Sequence, residues 1–166
     1  PSCHPTPVPR PRAAMPSPRC GTNGAPRDAA VRDVLERVRG AGIDLVRIAW
    51  CDVHGLLRGK TLVVSALERA FRDGIGLVST LMLKDSADRT ALPVFERGGT
   101  AALPGFGQAN NLVLLPDPAS FSLLPWAPGN GWLRAEPFFQ DGTPVALDTR
   151  RVLQRALATL ADAGFT

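Results

Sequence analysis

Apolar residues recur at helical spacing early in the chain: Val31, Val34, Leu35 and Val38 mark one face between Ala29 and Arg39. That spacing predicts a helix, with Asp28 as its N-cap and Gly40 as its stop. The period then switches to two. From Ile43 to Cys51, Leu45, Arg47 and Ala49 alternate with Val46, Ile48 and Trp50, as in a strand with two unlike faces. Asp52-Val53-His54-Gly55 reads as a turn and Leu56 to Val63 as the returning strand, which makes a hairpin. Ser65 to Glu68 has the spacing of a capping box. It opens a short helix that carries Leu67, Ala70 and Phe71 and stops at Gly74.

Ile75 to Leu83 is strand-like. Residues 84–110 lose all periodicity and hold Pro93, Gly98, Gly99, Pro104, Gly105 and Gly107. A connection of that length inside a compact domain is usually functional or mobile. Leu112 to Leu115 is wholly apolar and predicts a strand buried on both faces. Trp132 to Phe139 and Thr143 to Leu147 flank Asp141-Gly142, a strong hairpin signal. Val152, Leu153, Ala156, Leu157 and Leu160 stripe a last helix from about Thr149 to Ala163, before Gly164. Together these elements predict an α+β fold, a mixed, mostly antiparallel sheet with packed helices.

Composition adds a boundary. The chain has 166 residues, enough for one ordinary core. Residues 1–27 hold eight of the sixteen prolines, four arginines and no acid. With few amide donors and little apolar surface, this leader is expected to be disordered. It lacks the apolar stretch of a signal peptide, and no segment reaches the length of a membrane span. The expectation is a cytoplasmic protein. The net charge of +4 comes from the leader, because the remainder balances fifteen bases against fifteen acids. A nucleic-acid partner is therefore not expected: no basic face and no interleaved aromatics support one. Cys3, Cys20 and Cys51 give neither a disulfide framework nor a zinc spacing.

Few residues could carry chemistry alone. Arg58-Gly59-Lys60 places two cations around a glycine on the hairpin. They could bind an anion or pair across a subunit contact, but charges on the outer face of a solvated strand are the plainer reading. Lys84-Asp85-Ser86-Ala87-Asp88-Arg89-Thr90 is the densest polar cluster. Its acids could hold an ammonium or amine; a self-neutralising surface loop is the plainer reading. Asp117 between two prolines fits a turn, and Trp126 and Trp132 fit core or interface positions. The acids are scattered singly, so no metal site is assigned.

The ordered set Asp52…Gly55, Arg58-Gly59-Lys60, Leu115-Pro116-Asp117, Leu124-Pro125-Trp126, Asp141-Gly142-Thr143-Pro144 and Arg151-Val152-Leu153…Gly164 resembles the N-terminal domain of glutamine synthetases and their glutamate–amine ligase relatives. Ser79 to Asp85 with Arg89-Thr90 looks most like the divergent, glutamine-synthetase-like branch. The resemblance implies a β-grasp-like domain over 28–148, with 149–166 as the first helix of a catalytic domain. It implies an enzyme that uses ATP and Mg2+ to join ammonia or an amine to glutamate, with neither cofactor bound by this segment alone. It also implies a partner: the catalytic domain of a neighbouring identical subunit in a dodecamer-like ring. A non-catalytic oligomerisation or regulatory module of the same fold is the alternative.

One departure stands out. Typical members carry Asp-Gly-Ser-Ser after the glycine that corresponds to Gly74, and its acid contacts ammonium in the neighbour's site. Here Gly76-Leu77-Val78-Ser79-Thr80 occupies that region, with no acid at Val78 or Ser79, and Asp85 is the next acid downstream. Asp85 and Ser79 are thus the candidates for contact with the amine, and Arg58, Lys60, Asp88 and Arg89 for contact with substrate or the subunit interface. The residues leave ammonia and a bulkier amine both open.

Overall fold

The computed structural model describes residues 24–96, 103–107 and 110–165. The leader expected to be disordered lies outside these residues, except for its last four. Those four fold. The first helix, α1, runs Ala25–Gly40, one turn earlier than its apolar stripe begins. Pro26 in the first turn explains the early start, since its fixed φ suits a helix and its missing N–H is not needed there. Gly24 is therefore the N-cap in place of Asp28, which sits inside the first turn as a favourable acid.

The sheet strands are β1 (Leu45–Cys51), β2 (Leu57–Val63), β3 (Ile75–Val78), β4 (Asn111–Pro116), β5 (Ser122–Leu123) and β6 (Asn130–Phe138). Their order is β2-β1-β6-β4-β3, with β5 beside β6. Every pairing is antiparallel except β1 with β6. The mixed, mostly antiparallel α+β architecture predicted from the periodicities is the one observed. Period two decides which side chains go inside: Val46, Ile48 and Trp50 of β1 and Leu133 and Ala135 of β6 are buried. Val34 and Val38 of α1 close over them in one cluster, with Leu67 and Phe71 of α2 (Leu67–Asp73). β4 is buried on both faces from Leu112 to Leu115.

Gly74 makes the turn from α2 into β3 at φ 71°, where a Cβ would overlap Val113 Cγ1. Only glycine gives both the conformation and the clearance.

Three local expectations change. Ser65 and Glu68 form no capping box; a 3-10 turn at Val64–Ala66 leads into α2 with no side-chain cap. The strand expected over Ile75–Leu83 ends at Val78, and Ser79–Met82 coils into a 3-10 turn that buries Ser79 and Met82. The hairpin at Asp141-Gly142 closes, with Phe139 N–H donating to Thr143 O, but its second arm is a single bridge from Phe138 to Pro144. Proline has no N–H to extend the ladder.

The last helix, α3 (Thr149–Asp162), is capped by Asp148, whose side chain accepts from Arg150 N–H. None of its residues is buried.

Candidate functional site

Pairing in register places Arg58 opposite Trp50 and Lys60 opposite Ile48. Directly paired residues project to the same side of a sheet. Both cations therefore share the inner face with buried Trp50 and Ile48, and are not on the outer face. Each is engaged within the chain. Arg58 Nε donates to Asp52 Oδ2 at 2.9 Å, and its Nη2 to Asp88 Oδ1 at 2.8 Å. Lys60 Nζ donates to the Gly76 carbonyl on β3.

Asp52 is the centre of this arrangement. Its side chain is fully buried, and it accepts from the backbone N–H of His54 and Leu56 as well as from Arg58. Burial opposes its ionisation, but these donors outweigh burial and hold the carboxyl below its usual range. The sequence marks Asp52 only as a turn residue. The available signal is its spacing from Arg58: the turn folds back so that Arg58, paired with Trp50, lies diagonally across the hairpin from Asp52.

Asp85 staples its own loop. Oδ1 accepts from Ala87 and Arg89 N–H, and Oδ2 from Arg89 Nε at 3.1 Å. The Arg89 amide leads in holding this carboxyl below its usual range, ahead of an opposing desolvation. A continuous strand would have put Ser79 and Asp85 on one face. The 3-10 turn breaks that period, so the two are separately placed: Ser79 is buried with Oγ accepting from Asn110 N–H, while Asp85 keeps partial exposure. Asp88 has φ 60°, the left-handed region that favours Gly, Asn and Asp. Lys84 Nζ donates to its carbonyl, and His54 Nε2 lies 2.8 Å from the Lys84 carbonyl.

The structure thus brings Arg58, Asp88, Asp85 and Arg89 into one polar rim between the β1–β2 turn and the 84–90 loop. Lys60 lies further along β2, at β3. Val78, half-exposed, ends β3. On the outer face of the sheet, Ala49, Leu57, Gly59, Leu123, Trp126 and Trp132 line an apolar groove of about 620 Å³. Trp126 and Leu57 are largely exposed there, at 77% and 62%. Among the described residues, no three His, Cys, Asp or Glu gather as a metal would need, and no helix is long and apolar enough to cross a membrane.

No protein-family model matches the chain. Individual proteins do. It is 34% identical over 142 residues to a gamma-glutamylanilide synthase of Acinetobacter, covering 84% of this chain and 28% of that one. It is 30% identical over 140 residues to the glutamine synthetase of Mycolicibacterium smegmatis, covering 80% and 27%. Among solved structures, an ADP complex of GmaS superposes with a TM-score of 0.56 at 27% identity, over 79% of this chain and 26% of that one. The chain spans a little over a quarter of the length of these relatives. By sequence and by fold, the chain belongs to the glutamine synthetase family.

Proposed function

We propose that this chain is the N-terminal portion of a ligase that forms a γ-glutamyl amide from glutamate and an amine at the expense of ATP. In this reading residues 28–148 are its sheet domain and 149–166 open the catalytic domain. The polar rim completes the active site of a neighbouring identical subunit in a ring-stacked oligomer. In this reading ATP and Mg2+ belong to the catalytic domain. The contribution of this chain is to shape the side from which the amine arrives.

Val78 carries the reading. It is 51% exposed at the end of β3, where the resemblance implies an acid that would stabilise ammonium. A valine there favours an apolar substituent over a bare cation. The likeness to a gamma-glutamylanilide synthase points the same way. Asp85 and Asp88, in the neighbouring loop, are the acids able to face the amine nitrogen, and Ser79 lies behind Val78.

The test is glutamate-dependent phosphate release from ATP by the full-length enzyme, with ammonium and with a series of alkyl and aryl amines. The reading expects an apolar amine to be preferred, and Val78→Asp to shift preference toward ammonium by about tenfold or more. Equal preference in wild type and variant would overturn it.

A further inference from the structure

We infer that Arg58 is a positioning residue that clamps the 84–90 loop to the β1–β2 hairpin. β2 and β3 are the two edges of the sheet path, yet they approach closely enough for Lys60 to reach the Gly76 carbonyl. The gap continues past β3 to the loop. Among the described residues, no backbone–backbone hydrogen bond joins the hairpin to residues 75–90. Side chains alone close it: Lys60 to Gly76, Arg58 to Asp88 and His54 to the Lys84 carbonyl.

The loop itself is a preformed unit. Lys84 bridges Thr90, Asp85 N–H donates to Arg89 O, and the Asp85 carboxylate ties three donors. Its base is held at buried Leu83, whose carbonyl accepts from Ala91 N–H, so what remains to place its tip against the hairpin is the side-chain attachment. Arg58 suits that task because its own position is set from below. Nε is committed to fully buried Asp52, which leaves Nη2 aimed at Asp88. The planar fork serves both carboxylates at once, which a lysine ammonium on a flexible stem does not reproduce. Asp88 presents its carboxylate from a left-handed backbone, and Lys84 Nζ donates to the Asp88 carbonyl.

The consequence for catalysis rests on the proposed placement of this loop at the amine, whereas the clamp is a property of the chain itself. Nitrogen-15 relaxation of the 166-residue chain tests the clamp. Arg58→Lys keeps a cation beside Asp52 but gives up the fork. Asp88→Asn keeps the left-handed preference but gives up the charge. In the wild type the amides of residues 85–89 should show order parameters near about 0.85, falling below about 0.6 in both variants while β4 stays rigid. A loop already mobile in the wild type, unchanged in both variants, or loosened only together with β4 would overturn the clamp. In the full-length enzyme the same variants should raise KM for the amine several-fold with KM for glutamate unmoved. A loosened loop with an unmoved amine KM would sustain the clamp and overturn the placement of the loop at the amine.

Discussion

α1 and α3 are both striped with apolar residues at helical spacing, but the structure treats them in opposite ways. Val34 and Val38 of α1 are 1% exposed under the sheet, whereas Leu153 and Leu157 of α3 are 58% and 55% exposed. The first stripe is part of a core. Among the described residues, the second has only an anchor at its N-terminal end: the Asp148 cap, Arg150 paired with Asp117 and Glu136, and Arg151 paired with Glu136 and stacked on Phe138. These contacts fix the direction in which α3 leaves the sheet without covering its apolar face. Amphipathicity records that a helix is built to be covered. It does not record by what.

The contrast can be broken by a matched pair of charges. Val38→Asp would place an unpaired carboxylate in the core and should cost more than about 3 kcal/mol, enough to abolish a cooperative melt. Leu157→Asp should cost less than about 1 kcal/mol and reduce self-association in sedimentation, because its stripe faces water in the isolated chain. Similar losses for the two would mean that α3 is packed in solution.

Two buried carboxylates sharpen the same contrast through pH. Asp52 is held below its usual range, so its stabilisation is complete above the ordinary carboxylate pKa and is lost as pH falls through the lowered value. Asp52→Asn should cost about 1.5–3 kcal/mol at neutral pH, and denaturant melts should show that gap closing on acidification. Asp148, at the root of α3, is shifted the other way: desolvation leads and raises its pKa, and its Oδ2 is buried without a partner. There the folded state binds the proton more tightly, so stability declines as pH rises from the ordinary value through the raised one. Asp148→Asn retains an acceptor for the Arg150 N–H and should melt at or slightly above the wild type at neutral pH. That advantage should vanish in acid. A loss at neutral pH that grows with pH would contradict this sign.

Much of the sheet is legible in the sequence because period two and period 3.6 are set by which face is buried. β1 and β4 follow their patterns, and four consecutive apolar residues suffice to mark the buried run of β4. The failures lie where a local signal meets a stronger neighbour. Ser65 and Glu68 match a capping box, but the chain enters α2 already coiled in a 3-10 turn. Ser79 to Leu83 alternates plausibly, yet coiling buries Met82 and Ser79 instead of extending them. The polar rim is half legible. Arg58, Asp85, Asp88 and Arg89 stand out as separate candidates, while Asp52, which links the hairpin to the loop through Arg58, does not. Its role depends on register across the hairpin and on the contact of Arg58 with a residue thirty positions away, and neither is carried by local spacing.

Removing α3 tests most directly the claim that α1 belongs to this folding unit and α3 does not. A chain ending at Asp148 should lose helical circular dichroism yet melt cooperatively within about 4 °C of the intact chain, as expected for a loss below about 1 kcal/mol. A drop of more than about 10 °C, or loss of the cooperative transition, would show that α3 is part of the domain and contradict the account.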